Sequence, residues 1–266
     1  MKIATFNING VKARIGALTD WIDDTAPDVA ILQEIKSVDD GFPHEVFEDK
    51  GYHVETHGQK GFNGVAILSK LPLEDVTRGL PGAEGAGRDG IDDAEARYIE
   101  ATVMGQTPVR VCGLYLPNGN PAPGPKYDYK FRWMERLCAR AQELLSIEEP
   151  ALMTGDYNII PQREDAARPD AWREDALFRM ESRDAFRRIQ NLGFTEAFRM
   201  REAGAGHYSF WDYQAGAWDK NDGIRIDHFL LTPQCADLLN NCWIESEVRG
   251  REKPSDHVPV WVDLAA

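Results

Sequence analysis

The sequence predicts a mixed α/β protein, and three features predict it. Extended apolar runs alternate along the chain with segments whose apolar residues recur at helical spacing. Gly and Pro punctuate the joins between them. Several of the apolar runs are also closed by an amide, a carboxylate or a histidine, and the ends of buried strands are where an α/β protein gathers a site.

Residues 3–7 (Ile-Ala-Thr-Phe-Asn) form the first strand, and Asn9-Gly10 then marks a turn. Ile15, Leu18 and Ile22 repeat at helical spacing, and Pro27 closes that helix. Residues 28–33 make the second strand, ending in Gln33-Glu34. Segments 52–57, 63–69, 98–104 and 109–116 are extended, with Gly and Pro between them. Met134, Leu137, Ala141 and Leu144 form the apolar stripe of the longest helix, residues 127–146, before Pro150 opens the strand that leads to Gly155-Asp156-Tyr157-Asn158. Two more apolar runs carry Arg225-Ile226-Asp227-His228-Phe229 and Val258-Pro259-Val260-Trp261. No composition break resembles a linker, so residues 1–266 are read as one domain, and the Gly-rich, acidic segment 79–96 as a long surface loop.

With 42% hydrophobic and 28% charged residues, the chain can bury a substantial core and is not a disordered polymer. It begins on a strand with no basic-then-apolar leader, and no apolar stretch reaches spanning length, so the expectation is a cytoplasmic protein without a membrane partner. Cys112, Cys138, Cys235 and Cys242 lack zinc-ligand spacing and read as reduced, buried thiols. A net charge of −14 opposes general affinity for nucleic acid but leaves room for a local basic face. Lys12, Arg14, Lys36, Lys60, Lys126, Lys130, Arg132, Arg163 and Arg168 could supply one, or could be ordinary solvated charges.

The polar words carry the chemistry. Glu34 ends so apolar a run that its carboxylate must emerge, pair with a neighbour such as Lys36, or meet a metal ion. Asp156 and Asn158 lie two apart, so an extended backbone turns both to one side, though an Asx turn explains the same word. His257 sits in Ser255-Asp256-His257 ahead of a strand, and Asp227, an acid inside an apolar strand, is a natural partner to orient it. Tyr115 ends the 109–116 strand and either points its hydroxyl into the same mouth or simply packs. Tyr208, Phe210, Trp211 and Tyr213 form an aromatic cluster suited to core packing or to holding an extruded sugar. Together these words are rich in oxygen ligands and suit a hard divalent cation.

In order along the chain, Phe6-Asn7-Ile8-Asn9-Gly10, Leu32-Gln33-Glu34-Ile35-Lys36, His57-Gly58-Gln59-Lys60-Gly61, Gly155-Asp156-Tyr157-Asn158-Ile159, Asn221-Asp222-Gly223-Ile224-Arg225-Ile226-Asp227 and Lys253-Pro254-Ser255-Asp256-His257 resemble the exonuclease III family of DNA-repair nucleases. The resemblance implies a four-layer α/β sandwich, two mixed β-sheets packed face to face and flanked by helices. Gln33-Glu34-Ile35-Lys36 and Ser209-Phe210-Trp211-Asp212-Tyr213 point to the DNA-repair branch of a wider group that also acts on inositol phosphates and phospholipid headgroups.

Carried over by motif, Glu34 would be the principal ligand of Mg²⁺ or Mn²⁺, with Asn7 and Asp256 assisting, and Asp156 and Asn158 available to a second ion. Asp156 would deprotonate or orient the attacking water, Asn158 would hold a phosphate oxygen, and Asp227 would orient His257 at the scissile phosphate. Tyr115 would support the pentacovalent centre. The resemblance places Lys36, Arg97, Lys130 and Trp211 against DNA, and Phe210, Ile224 and Ile226 around a base-free sugar. It implies a monomer acting on duplex DNA with abasic sites or blocked 3′ ends. The main alternative is a phosphohydrolase of inositol phosphates or phospholipid headgroups; an idle relative should have lost a ligand, and none is missing. Glu196-Ala197-Phe198-Arg199 stands where the family commonly reads Asp-Thr-Phe-Arg, which predicts a local difference in capping or DNA contact.

Overall fold

The computed structural model describes residues 1–87 and 92–266, so residues 88–91 of the expected 79–96 loop lie outside the described residues. The first half of the chain holds β1 (Lys2–Asn7), α1 (Val11–Thr25), β2 (Val29–Gln33), α2 (His44–Glu48), β3 (His53–His57), β4 (Val65–Ser69) and β5 (Leu73–Arg78). After the loop come β6 (Tyr98–Val103), β7 (Val109–Tyr115), α3 (Pro125–Ile147), β8 (Ala151–Asp156) and α4 (Met180–Gln190). The remainder is β9 (Thr195–Glu196), α5 (Ala197–Arg201), β10 (Asp227–Leu231), α6 (Pro233–Ala236), β11 (Leu239–Ile244) and β12 (Val260–Leu264).

The strands form two six-stranded sheets, ordered β11-β12-β1-β2-β4-β3 and β5-β6-β7-β8-β10-β9. Each is mixed, with one parallel pair (β1–β2 and β7–β8) among antiparallel neighbours. Alternation along the strands builds four layers. Ile3, Val29, Ile31 and Ile67 of the first sheet pack on Ile99, Val111, Leu152 and Phe229 of the second. The opposite faces bury against helices: Phe6 and Leu32 with Trp21 and Ile22 of α1, and Met153 and Leu230 with Trp133, Leu137 and Phe186 of α3 and α4. The expected sandwich is therefore present.

Local sequence explains the helix ends. α3 starts two residues before the predicted Tyr127, because Pro125 after Gly124 is preorganised for a first helical turn. It stops at Glu148, and α1 at Ala26, each with a left-handed residue whose amide returns to the last turn.

The same alternation positions the site. Ile3, Thr5 and Asn7 share the inner face of β1, as do Leu152, Thr154 and Asp156 on β8, and Asp227, Phe229 and Leu231 on β10. Tyr115, Asp156 and Asp227 are register partners across β7, β8 and β10. So the apolar rows between the sheets end together in polar residues at one edge of the sandwich. Two glycines let the backbone close up there. A Cβ on Gly113 would lie 2.5 Å from Ile31 Cγ2 of the facing sheet, and one on Gly155, at φ 148°, only 1.9 Å from the Leu114 carbonyl oxygen.

Candidate active site

At this edge the two sheets deliver their carboxylates to one another. Asn7 Nδ2, from the first sheet, donates to Glu34 Oε1 and to Asp156 Oδ2 of the second, both at 3.0 Å. Glu34 Oε2 takes the Lys36 ammonium at 2.8 Å, and Asn9 Nδ2 donates to Asp256 Oδ1 at 3.0 Å. His257 Nδ1 lies 2.9 Å from Asp227 Oδ2, and its Nε2 faces Asp156 Oδ2 at 3.6 Å. Ser209 Oγ donates to the same Asp227 oxygen at 2.6 Å, a contact that no local pattern in the chain announces.

These charges are nearly all inside: Asp156 is 2% exposed, Asp227 1% and His257 4%. Burial alone would drive the His257 imidazole toward neutrality, but Asp227, with Asp156 behind it, holds the proton and lifts the group to about 10. Burial raises the Asp156 carboxyl, the imidazolium 3.6 Å away offsets it only in part, and Asp227 and Glu34 push it further up. Glu34, although burial opposes it, is kept low by its bonds to Lys36 and Asn7. The Tyr115 phenol stays protonated, through burial and then through Glu34 and Asp156.

Asn158, left-handed at φ 48°, completes the edge: its amide N–H donates to Asp156 Oδ1 at 2.8 Å, its side chain accepts from Asn118 Nδ2 at 3.1 Å, and Nδ2 donates to the Leu116 carbonyl at 3.0 Å. A cavity of about 190 Å³ opens on the group, with Glu34, Tyr115, Asp156, Asn158, Asp256 and His257 on its polar side. Phe210, Ile224, Ile226, Leu177 and Trp172 form its apolar side. Trp172 and Leu177 were not expected there; a lone aromatic in the polar 161–175 stretch was the one signal.

The residues expected to touch DNA are held in different ways. Lys130 is fully buried on α3, its ammonium donating to the carbonyls of Asn158 at 2.7 Å and Asn118 at 3.1 Å, so it braces the asparagine loops rather than meeting a phosphate backbone. Burial depresses its pKa to about 7. Trp211 is 2% exposed and bonds Asn221; in an extended stretch it must face opposite to Phe210, which does reach the cavity. Arg97 is buried against Glu95 and stacks 4.8 Å over the Tyr115 ring, on the wall of a neighbouring cleft with Lys126. Lys36 is occupied by Glu34 and Asn9. Arg163 and Arg168, candidates for a basic face, are paired with Asp170 and Asp222.

The donors present fit a hard divalent cation. Glu34, Asp156 and Asp256 bring carboxylate oxygens to one mouth where the Asn7 NH₂ and Lys36 already stand in for positive charge, and Asp227 Oδ1 is buried with no hydrogen-bond partner. Among the described residues, Asp156, Asp227 and His257 bring one possible ligand atom each within 4.8 Å of the others.

One stability consequence follows. As pH rises, the metal-free protein loses the support of His257 between its ordinary pKa near 6.5 and about 10, and bears the cost of ionising buried Asp156. A cation offsets the second term only where Asp156 is ionised. Saturating Mg²⁺ is expected to raise the Tm by about 5 °C at pH 8 relative to EDTA, and by clearly less at pH 5.5. Melting curves showing an equal or larger shift at pH 5.5 would contradict the assignment.

A deep seam of acids, amides and one imidazolium, at the strand ends of a four-layer sandwich, defines a metal-assisted hydrolase of phosphate esters. The sequence profile of the Endonuclease/Exonuclease/phosphatase family matches residues 4–257, and the chain belongs to that family. It is 36% identical over 276 residues to Exodeoxyribonuclease III of Haemophilus influenzae, with 99% of this chain and 100% of that one covered. Among solved structures, an AP endonuclease from Archaeoglobus fulgidus matches with a TM-score of 0.91 at 34% identity, each chain covered in full. The 3′ phosphatase NExo from Neisseria, bound to a product DNA hairpin, matches with 0.93 at 33%, again over 100% of both chains. The expected resemblance is thus borne out over the length of the chain.

Proposed function

We propose that this protein is a metal-dependent DNA-repair phosphodiesterase, one catalytic domain over residues 1–266, that incises on the 5′ side of abasic sites and trims 3′ ends. The observation that carries this reading is a cavity of about 190 Å³ that has the acidic seam on one side and the apolar side chains of Phe210, Ile224 and Ile226 on the other. Pockets for drug-sized ligands begin at roughly 300 Å³, so this one suits a sugar without its base. A nucleotide with no base to unstack is also the cheapest to turn out of a duplex. Relatives named as an exodeoxyribonuclease, an AP endonuclease and a 3′ phosphatase support the same reading.

The residues divide the work by their protonation. Asp156, buried and raised, accepts a proton from the attacking water, which its contacts with Asn7 and the Asn158 amide hold in line. His257, kept charged by Asp227, and the remaining N–H of Asn118 beside Asn158 donate to the phosphate oxygens as charge builds on them. Tyr115 keeps its proton and donates at the same centre. Glu34, Asn7 and Asp256 would hold Mg²⁺ or Mn²⁺, which supplies Lewis-acid neutralisation of the phosphoryl charge.

The inositol phosphate or lipid headgroup alternative is disfavoured by the cavity wall. Among the described residues that line it there is no Lys or Arg to meet further phosphates. A monomer working in the cytoplasm fits four buried, unpaired thiols, and no helix among the described residues is long and apolar enough to cross a membrane. Incubation with duplex DNA carrying one abasic site is the test. With Mg²⁺, a nick leaving a 3′ hydroxyl is expected, and none with EDTA; an intact strand in Mg²⁺ and in Mn²⁺ refutes the proposal.

A further inference from the structure

Between Ile224 and Ile226, whose side chains line the cavity, Arg225 turns the other way and is 1% exposed. Its Nε donates to Asp165 Oδ1 and its Nη1 to Glu196 Oε1, each at 2.7 Å, and its backbone N–H donates to the Asp165 carbonyl at 2.8 Å. Arg199 adds a second guanidinium on Asp165. Glu196 also caps α5 by accepting the Arg199 amide at 2.7 Å. This accounts for the Glu196-Ala197-Phe198-Arg199 word that departs from the family pattern: its carboxylate reaches both the helix end and Arg225.

His228 carries the cluster to the catalytic side. Its Nδ1 lies 3.1 Å from Arg225 Nη1, and its Nε2 bonds the carbonyl of Ile159, the residue after Asn158. Two carboxylates and two guanidiniums balance in charge, and each is at most partly exposed. A buried charged group is costly unless fully partnered, so these bonds leave segment 223–227 little freedom. From the cavity side the segment is held by paired bonds between Phe210 and Ile224 at 3.0 Å.

We propose that the buried Asp165–Arg225–Glu196–His228 cluster is a positioning element: it fixes the Ile224 and Ile226 wall against the Asp156–Ile159 turn and so sets selectivity for a base-free sugar. None of its members touches the reacting atoms. The inference rests on the proposed DNA activity, whose chemistry also supplies the control. Incision 5′ to an abasic site leaves the abasic sugar attached to the phosphate under attack, so that sugar must occupy the cavity. Removal of a terminal 3′ phosphate attaches nothing beyond the phosphate, and the wall is not used.

The test compares the two reactions in Mg²⁺-loaded wild type, Arg225→Gln, Arg225→Lys and Glu196→Gln, using one duplex with a tetrahydrofuran abasic site and one with a 3′-phosphate nick. Arg225→Gln is expected to lower kcat/KM for the abasic duplex about tenfold or more, since small misplacements of a bound group are expensive. Removal of the 3′ phosphate should stay within about twofold. Arg225→Lys, which keeps the charge balance but not the forked bonds, should fall between wild type and Arg225→Gln, and Glu196→Gln should follow Arg225→Gln. Parallel loss of both activities, or loss of neither in Arg225→Lys and Glu196→Gln, overturns the positioning role. A wild type inactive on both duplexes would instead refute the DNA activity itself.

Discussion

Replacing Asp156 by asparagine is expected to lower kcat/KM for abasic-site incision by about 10³- to 10⁴-fold while making the metal-free protein more stable at pH 8. The two effects have one origin. Asp156 is buried, lies opposite Asp227 in register, and is offset only in part by His257 at 3.6 Å, so its ionised form is costly to keep in the fold. The same cost makes it a base able to take a proton near neutral pH. An asparagine of nearly equal shape removes the base and the repulsion together. Steady-state rates and melting curves in EDTA test the pair; activity within tenfold of wild type, or a lower Tm at pH 8, would remove Asp156 from this role.

The second large effect is expected at Asp227. Asp227→Asn should reduce incision by about 10²-fold at pH 8 and by distinctly less at pH 6. Without the carboxylate 2.9 Å away, the His257 imidazole answers mainly to burial, which drives its pKa down. At pH 8 the ring is then neutral and presents no charge to the phosphate; at pH 6 part of the population is still protonated. In the wild type the alkaline limb should extend toward about 10, where His257 loses its proton. A deficit that is the same at every pH would mean that Asp227 acts only by packing.

Much of this edge could be read from the chain because its chemistry sits where apolar runs stop. β2, β8 and β10 are buried along their whole length and β1 from Ile3 onward, so each reads as a near-continuous apolar word, and Asn7, Glu34, Asp156 and Asp227 stand out at or just beyond their ends. The pairing of Asp227 with His257 followed from the awkwardness of each alone. Other elements left weaker traces. β5, Leu-Glu-Asp-Val-Thr-Arg, is an edge strand mostly open to solvent, and the charged α4 buries only Ser182, Phe186 and Ile189. How the two sheets face each other came from the resemblance; spacing alone is silent on it.

The burial of Lys130 and Trp211 had signals in the chain that charge and size obscured. Lys130 falls on the apolar stripe that continues through Met134, Leu137, Ala141 and Leu144, so helical geometry places it inside even though lysine is rarely buried. Phe210 and Trp211 are neighbours in an extended stretch, and only one of them can face the cavity. Arg225, a charge between two isoleucines, announces a buried partner, but the partners Asp165 and Glu196 are 60 and 29 residues away and no local pattern joins them.

The polar side chains of the cavity lie at or just beyond the ends of strands, whereas Phe210, Trp172, Leu177, Ile224 and Ile226, on its apolar side, sit outside the long strands. Mutation can therefore sample the lip without disturbing the sheets, and selection for what is cut can proceed almost independently of selection for how it is cut. A scaffold of this kind is free to diversify its diet of damaged ends while its reaction stays constant.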